Sequence, residues 1–181
     1  MNLSVANKIG SSSLLMATLI LAAGLAGLNG VSSLSSSLNY ISNQAWNAAD
    51  GAMEGTIFLQ EELLATKEVL SGSVAFAEGE NQIEAAVSEA DSALKRMAES
   101  GLIENNMLND LNNFIQKFRN ARAEVVSRYK GMTEAERGFA SNINVEYQQL
   151  KKNLDVTAKQ LLGFIGEVEE LSDSKVEGEM G

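Results

Sequence analysis

The chain has 181 residues, a formal net charge of −10, and no cysteine, histidine or proline. Without cysteine it cannot form disulfides, use thiol catalysis or carry a cysteine-linked lipid, and without histidine it lacks the commonest general base and metal ligand. The acidic balance disfavours nucleic acid and anionic lipid headgroups as partners. We therefore predict a protein that is not an enzyme and that uses no metal or cofactor.

The first predicted element is an apolar helix of membrane length. No charged side chain occurs between Lys8 and Asp50, and residues 14–28 form a dense apolar run. About 20 helical residues, each rising about 1.5 Å, cross the hydrocarbon layer of roughly 30 Å. We predict a cytoplasmic N-terminus over residues 1–8 and a transmembrane helix over residues 9–31.

Flanking charge predicts the orientation of this helix. The N-terminal flank carries Lys8 and no acid, whereas the far flank begins with Asp50 and Glu54. The positive-inside bias therefore places the N-terminus in the cytoplasm and the larger part of the chain outside. A signal peptide cleaved near Gly24-Leu25-Ala26 is the alternative. We favour an uncleaved anchor, because the apolar spacing continues unbroken through that point.

Apolar periodicity after the anchor predicts a long helix that buries one stripe in a coiled coil or bundle. The pattern starts inside the membrane segment, so we predict one continuous helix from about Ile9 to Phe76. Gly72 and Gly79 mark the region where it must end. The apolar positions follow one another mostly in steps of three and four: Val31, Leu34, Leu38, Ile41, Ala45, Ala48, Ala52, Leu59, Leu63, Thr66 and Leu70.

Three further helices follow, and short connections make neighbouring helices antiparallel. Gly101 and Gly131 end the second and third helices, because glycine accepts the left-handed conformation of a C-terminal cap. Thr133 and Glu136 have the spacing of a capping box at the start of the fourth. We predict an all-α fold with an up-down four-helix bundle over residues 32–173 and a juxtamembrane tail over residues 174–181. The bundle helices are expected over residues 32–76, 81–100, 103–130 and 133–171.

The chain resembles, over its whole length in pattern, the N-terminal part of methyl-accepting chemotaxis proteins, the bacterial transmembrane chemoreceptors with four-helix-bundle sensor domains. The resemblance rests on Leu3–Ile9, on Gly24, Gly27 and Gly30 of the anchor, and on Ala45–Gly55. It implies an inner-membrane protein with a periplasmic sensor domain that forms a homodimer along its first helix. It also implies a small-molecule ligand, bound directly or through a periplasmic binding protein, and transmission by a small helix displacement.

The family's cytoplasmic output region is absent from these residues, so the resemblance implies a chain truncated before a second membrane span. Two alternatives remain open. The bundle is also typical of the sensor modules of histidine kinases and diguanylate cyclases. A ligand-free structural coiled-coil membrane protein is the other alternative, and ligand-induced stabilisation would separate it from a binding module.

Three polar residues are candidate ligand contacts, because antiparallel helices place Lys67, Arg122 and Asn142 at about one level of the distal bundle. Arg122 follows Phe118 by four residues and precedes Val125 by three, so it interrupts an apolar stripe. Such an arginine can take a carboxylate ligand in a bidentate pair. The structural alternative is that its guanidinium reaches water or pairs with an Asp or Glu.

Small residues on the first bundle helix form a second candidate surface. Ala48, Gly51, Ala52 and Gly55 let another helix approach closely, either across a dimer or within the bundle core. Trp46 precedes them, and we expect its indole to anchor at the headgroup layer or to pack in the stem of the bundle.

Overall fold

The computed structural model describes residues 5–137 and 144–180, and within these ranges the fold is all-α, as predicted. A π-helical turn (Tyr40–Ala45) separates α1 from α2 along the chain, and residues 134–137 form one more helical turn. The chain divides into two compact units, Met1–Ile41 and Ser42–Gly181. The five α-helices of the described residues are α1 (Val5–Asn39), α2 (Trp46–Ser71), α3 (Phe76–Glu99), α4 (Asn105–Lys130) and α5 (Val145–Met180).

The first unit is the apolar helix α1. Within the described residues one helix, Leu14–Ser71, is long and apolar enough to cross a membrane, with a mean hydropathy of 2.0 in its most apolar window. Thr18 Oγ1 donates to the Leu14 carbonyl (2.9 Å), so its hydroxyl is satisfied inside the helix, as a lipid environment requires. The large side chains of its apolar run are all exposed in the isolated chain: Leu14, Leu15, Met16, Leu19, Ile20, Leu21, Leu25 and Leu28.

The second unit is a four-helix bundle of α2 to α5. Helix α2 packs closely against α3, α4 packs against α5, and α2 also contacts α5 and α4. Ion pairs between α3 and α4 show that these two helices are antiparallel. Lys130 reaches Glu80 (3.6 Å) and Arg119 reaches Asp91 (2.9 Å), so α3 and α4 run in opposite directions.

Apolar side chains from all four helices form one continuous core. Fully buried members include Leu59, Met97, Phe118, Leu154 and Ile165, which lie at the helical spacings that the sequence indicated. Burying one such side chain stabilises the fold by about 1.5–3 kcal/mol relative to leaving it exposed. The core therefore holds the bundle together, and the charged residues described below are exceptions within it.

The first bundle helix ends at Ser71 rather than at residue 76. Gly72 adopts the left-handed conformation (φ 73°), and the following amide, Ser73 N–H, donates to the Glu68 carbonyl (3.0 Å). This is the glycine cap that closes a helix, so the stop comes at the first of the two candidate glycines. Gly79 lies inside α3, which begins at Phe76 rather than at residue 81, and packs against the Val69 side chain.

Of the two other predicted glycine caps, one forms and one does not. Gly101 follows α3 with φ 76°, as a left-handed cap requires. Gly131 follows α4 but is right-handed (φ −74°), so its place is not explained by a left-handed cap. Arg137 serves this end instead, because its guanidinium donates to the carbonyls of Tyr129 and Lys130 (both 3.2 Å).

The fourth predicted helix is interrupted. The capping box forms, with Thr133 N–H donating to Glu136 Oε2 (2.8 Å) and Glu136 N–H donating to Thr133 Oγ1 (3.3 Å). However, residue 144 is not helical, and Asn144 Oδ1 accepts a hydrogen bond from Tyr147 N–H (3.1 Å). Asn144 is thus the N-cap of a new helix, because an N-cap side chain satisfies the third amide of its helix. Helix α5 accordingly starts at Val145 and continues past residue 171 to Met180.

Candidate functional site

A charged cluster in the bundle extends from a buried carboxylate on α2 to an exposed one on α3. Its centre is the Glu62 carboxylate of α2, whose residue is 0% exposed. Arg122 Nη1 of α4 donates to Glu62 Oε1, and Arg119 Nη2 lies 3.6 Å from Glu62 Oε2. Arg119 Nη1 in turn pairs with Asp91 Oδ1 of α3 at 2.9 Å. Two carboxylates and two guanidiniums therefore form a neutral cluster that connects three helices.

The hydrogen-bonding capacity of this cluster is incompletely used. Among the described residues, Glu62 Oε2 and the Nε and Nη2 atoms of Arg119 are buried without a hydrogen-bond partner. Burial raises the pKa of the Glu62 carboxyl, although Arg122 and Arg119 oppose that rise. Burial likewise lowers the pKa of the Arg122 guanidinium, against the attraction of Glu62. Buried ion pairs often add little net stability, and perturbed pKa values cluster at functional sites. The cluster is therefore a candidate functional site.

A groove lies beside the cluster, between α3 and α4. These two helices approach each other less closely than α2 approaches α3 or α4 approaches α5. The cavity measures about 470 Å³, which lies within the range of small-molecule sites. Its lining combines apolar side chains with charged ones at the edges: Glu80, Asn81, Ile83, Glu84, Val87, Arg122, Ala123 and Val126.

Two of the three predicted ligand contacts lie within the described residues, and each forms an ion pair. Arg122 lines the groove and pairs with Glu62. Lys67 instead forms an exposed ion pair with Asp155 of α5 (2.8 Å). Asn142 lies outside the described residues. Lys67 is not part of the groove lining, and the ligand roles of all three residues stay predictions.

The small-residue face of α2 lies against α3 within the chain. Ala48 and Ala52 are each 1% exposed, and Gly51 and Gly55 are also buried. A Cβ added to Gly51 would lie 2.7 Å from the Ala93 carbonyl oxygen, which shows how closely the two helices approach. Of the two predicted roles, the structure gives these residues close packing within the bundle.

Sequence reasoning missed a second apolar stripe on α2. Trp46, Met53, Ile57 and Leu64 recur at intervals of seven, four and seven residues, and this spacing places them on one helical face. All four are exposed, by 67%, 53%, 45% and 58% respectively. We call them the α2 stripe.

Other observations restrict the chemistry of the chain. The described residues contain no group of three or more Asp and Glu side chains placed to hold a metal ion. No protein-family model, no curated protein and no solved structure matches the chain. The site must therefore be judged on its own geometry, which offers charge recognition beside an apolar cavity.

Proposed function

We propose that the chain is the membrane-anchored, extracytoplasmic sensor region of a bacterial chemoreceptor-like protein, which binds a small-molecule signal and transmits it by helix displacement. The observation that carries the proposal is the buried charged cluster beside an open groove, in a chain whose first helix has membrane length. A core that ties three helices together through charges can change packing when one charge finds another partner. Only a ligand with different affinity for two packings drives such a change.

The proposed topology places the N-terminus in the cytoplasm and the bundle in the periplasm. Lys8 before the apolar helix and Asp50 after it support this orientation. The chain has no cysteine, so a single introduced cysteine gives an unambiguous label. In intact cells with a permeable outer membrane, a membrane-impermeant maleimide should label Ser88→Cys, and should label Ser4→Cys only after lysis. The reverse labelling pattern would contradict the orientation.

The α2 stripe supports a homodimer. Exposed tryptophan, methionine and leucine side chains on one face are typical of an interface, and burying them against a second copy removes apolar surface from water. Two copies anchored in one membrane from the same side are parallel, so each stripe residue meets its own counterpart. Oxidation in membranes should therefore cross-link Met53→Cys or Ile57→Cys efficiently. Ser88→Cys, exposed on α3, is the matched control and should remain monomeric.

Ligand binding is the decisive part of the proposal, because a structural coiled coil would share the anchor and the stripe. A ligand that binds the folded bundle alone raises its melting temperature in a concentration-dependent way. The experiment is a thermal-shift screen of the full chain in lipid nanodiscs against small metabolites. Saturable stabilisation by a compound supports a sensor, whereas a melting temperature that none of the compounds changes supports the structural protein.

A further inference from the structure

We infer that the α3–α4 groove binds a dipolar ligand, in which a carboxylate and an ammonium group are separated by a short apolar segment. The inference rests on the proposed sensor function and adds to it the place of the site and the chemical class of the ligand. It is argued from three parts of the groove: a guanidinium at one end, a carboxylate about one helical turn away, and apolar side chains in the same lining.

Arg122 provides the end that binds the carboxylate. Its side chain is 18% exposed and lines the groove, while Nη1 is held from behind by the buried Glu62 carboxylate. Among the described residues, Glu62 is the one hydrogen-bond acceptor of Arg122, so its other N–H donors are available to a ligand. A guanidinium fixed on one edge loses little entropy when it binds a carboxylate on another edge.

Glu84 provides the end that binds the ammonium. The neighbouring Glu80 already pairs with Lys130 (3.6 Å), whereas Glu84 has no ion-pair partner in the described part of the chain. Both line the groove. With Arg122 neutralised by Glu62, and Glu80 by Lys130, the groove retains the negative charge of Glu84. A ligand with only a carboxylate would therefore meet a repulsive charge that an added ammonium group turns into an attraction.

The helix register sets the distance between the two ends. The pairs Lys130–Glu80 and Arg119–Asp91 place Glu84 of α3 level with Val126 of α4. Arg122 therefore lies about one helical turn away from Glu84 along the helix axes. One turn corresponds to roughly 5 Å along the helix axis. The apolar side chains of Ile83, Val87 and Val126 belong to the same lining. A chain of a few methylene groups between the ligand's charges therefore fits this register.

Binding would also supply the displacement that a sensor needs. A ligand carboxylate that shares the Arg122 guanidinium competes with Glu62 for its positive charge. The hydrogen bond between Glu62 of α2 and Arg122 of α4 therefore weakens while Arg122 stays in place. The ligand thus favours a packing in which α2 and α4 are tied less tightly, which is the differential affinity that the mechanism requires.

The test compares three probes of equal chain length on the full chain in nanodiscs: 5-aminopentanoate, pentanoate and pentylamine. Calorimetry should show saturable binding of 5-aminopentanoate and at least about tenfold weaker binding of the two singly charged probes, since each loses one charged contact. Equal affinity for all three, or no saturable binding of 5-aminopentanoate at millimolar concentration, would overturn the inference.

Variants assign the two contacts. Glu84→Gln keeps the fold, because the residue is exposed, and should reduce the affinity for 5-aminopentanoate about tenfold. The affinity for pentanoate should rise, because the same substitution removes the negative charge that repels its carboxylate. Lys67→Ala is the matched control: it removes a cation outside the groove and should leave both affinities unchanged. An unchanged 5-aminopentanoate affinity in Glu84→Gln would reject the site. If another compound stabilises the chain while all three probes fail, the sensor function stands and this ligand class is wrong.

Discussion

The substitution Gly51→Ala tests how closely α2 and α3 pack. The added Cβ would lie 2.7 Å from the Ala93 carbonyl oxygen, 2.7 Å from the Met97 amide nitrogen and 2.9 Å from Met97 Cβ. Two of these atoms belong to the backbone of α3, so a side-chain rotation cannot relieve the clash and the helices must separate.

The magnitude follows from two opposing terms. Overpacking a well-packed core costs about 1–3 kcal/mol, and backbone contacts favour the upper end of this range. Replacing glycine by alanine inside a helix recovers about 1 kcal/mol of helix propensity. The net loss is about 2 kcal/mol, which for a bundle of this size lowers the melting temperature by roughly 8 °C.

Gly166→Ala is the matched control, because nothing lies within 4 Å of a Cβ added at Gly166 in α5. This variant gains about 1 kcal/mol of helix propensity without the clash. Its melting temperature should therefore rise by a few degrees. The assay is circular dichroism at 222 nm during heating of both variants in one detergent. If Gly51→Ala stabilises the chain as Gly166→Ala does, α2 and α3 are not packed at this distance and the reasoning fails.

Three further predictions concern charged and polar contacts. Glu62→Ala leaves the largely buried Arg122 guanidinium without its carboxylate and should cost about 3 kcal/mol in chemical denaturation. The added substitution Arg122→Met should restore most of this loss, and a loss below about 1 kcal/mol would contradict burial of the pair. Hydrogen bonds from Thr133 lower the pKa of Glu136 below 4.5, so its contribution to stability is present above pH 4.5 and is lost as the pH falls through the lower value. The Thr133 backbone N–H makes the largest contribution to this shift and its hydroxyl the next. In NMR titration, Thr133→Val should therefore raise the Glu136 pKa only part of the way toward 4.5, and Thr133→Ser should not raise it. Asn144→Ala should cost about 1 kcal/mol of stability, whereas Asn144→Asp should retain the cap; equal losses in both would argue against Asn144 as the N-cap.

Local chemistry explains which parts of the fold could be predicted. The left-handed cap at Gly72 and the capping box of Thr133 and Glu136 depend on interactions between residues that are close in sequence, and both form as expected. The start of α5 was harder to predict from the sequence, because apolar periodicity continues through the region where the Asn144 side chain caps a new helix. A periodic pattern indicates that a helix is stable, but it does not show where a capping side chain ends or restarts it.

The site was only partly predictable for a different reason. Arg122 was identified because it interrupts an apolar stripe, but its partner Glu62 lies 60 residues away in the chain, and no local spacing relates the two. On α2, the apolar stripe that the sequence predicted is the buried one, and it includes Ala48, Ala52 and Leu59. The second apolar face, which contains Met53 and Ile57, was not predicted, because the periodicity of one stripe does not show that other apolar residues of the helix remain exposed.

The most direct measurement of the central claim is the melting temperature of the full chain in lipid nanodiscs across a panel of small metabolites. A sensor predicts that at least one compound raises it in a saturable manner, and that a cysteine pair across the α2 stripe cross-links at a different rate when that compound is bound. A melting temperature and a cross-linking rate that no compound changes would contradict the sensor function and leave an anchored structural bundle.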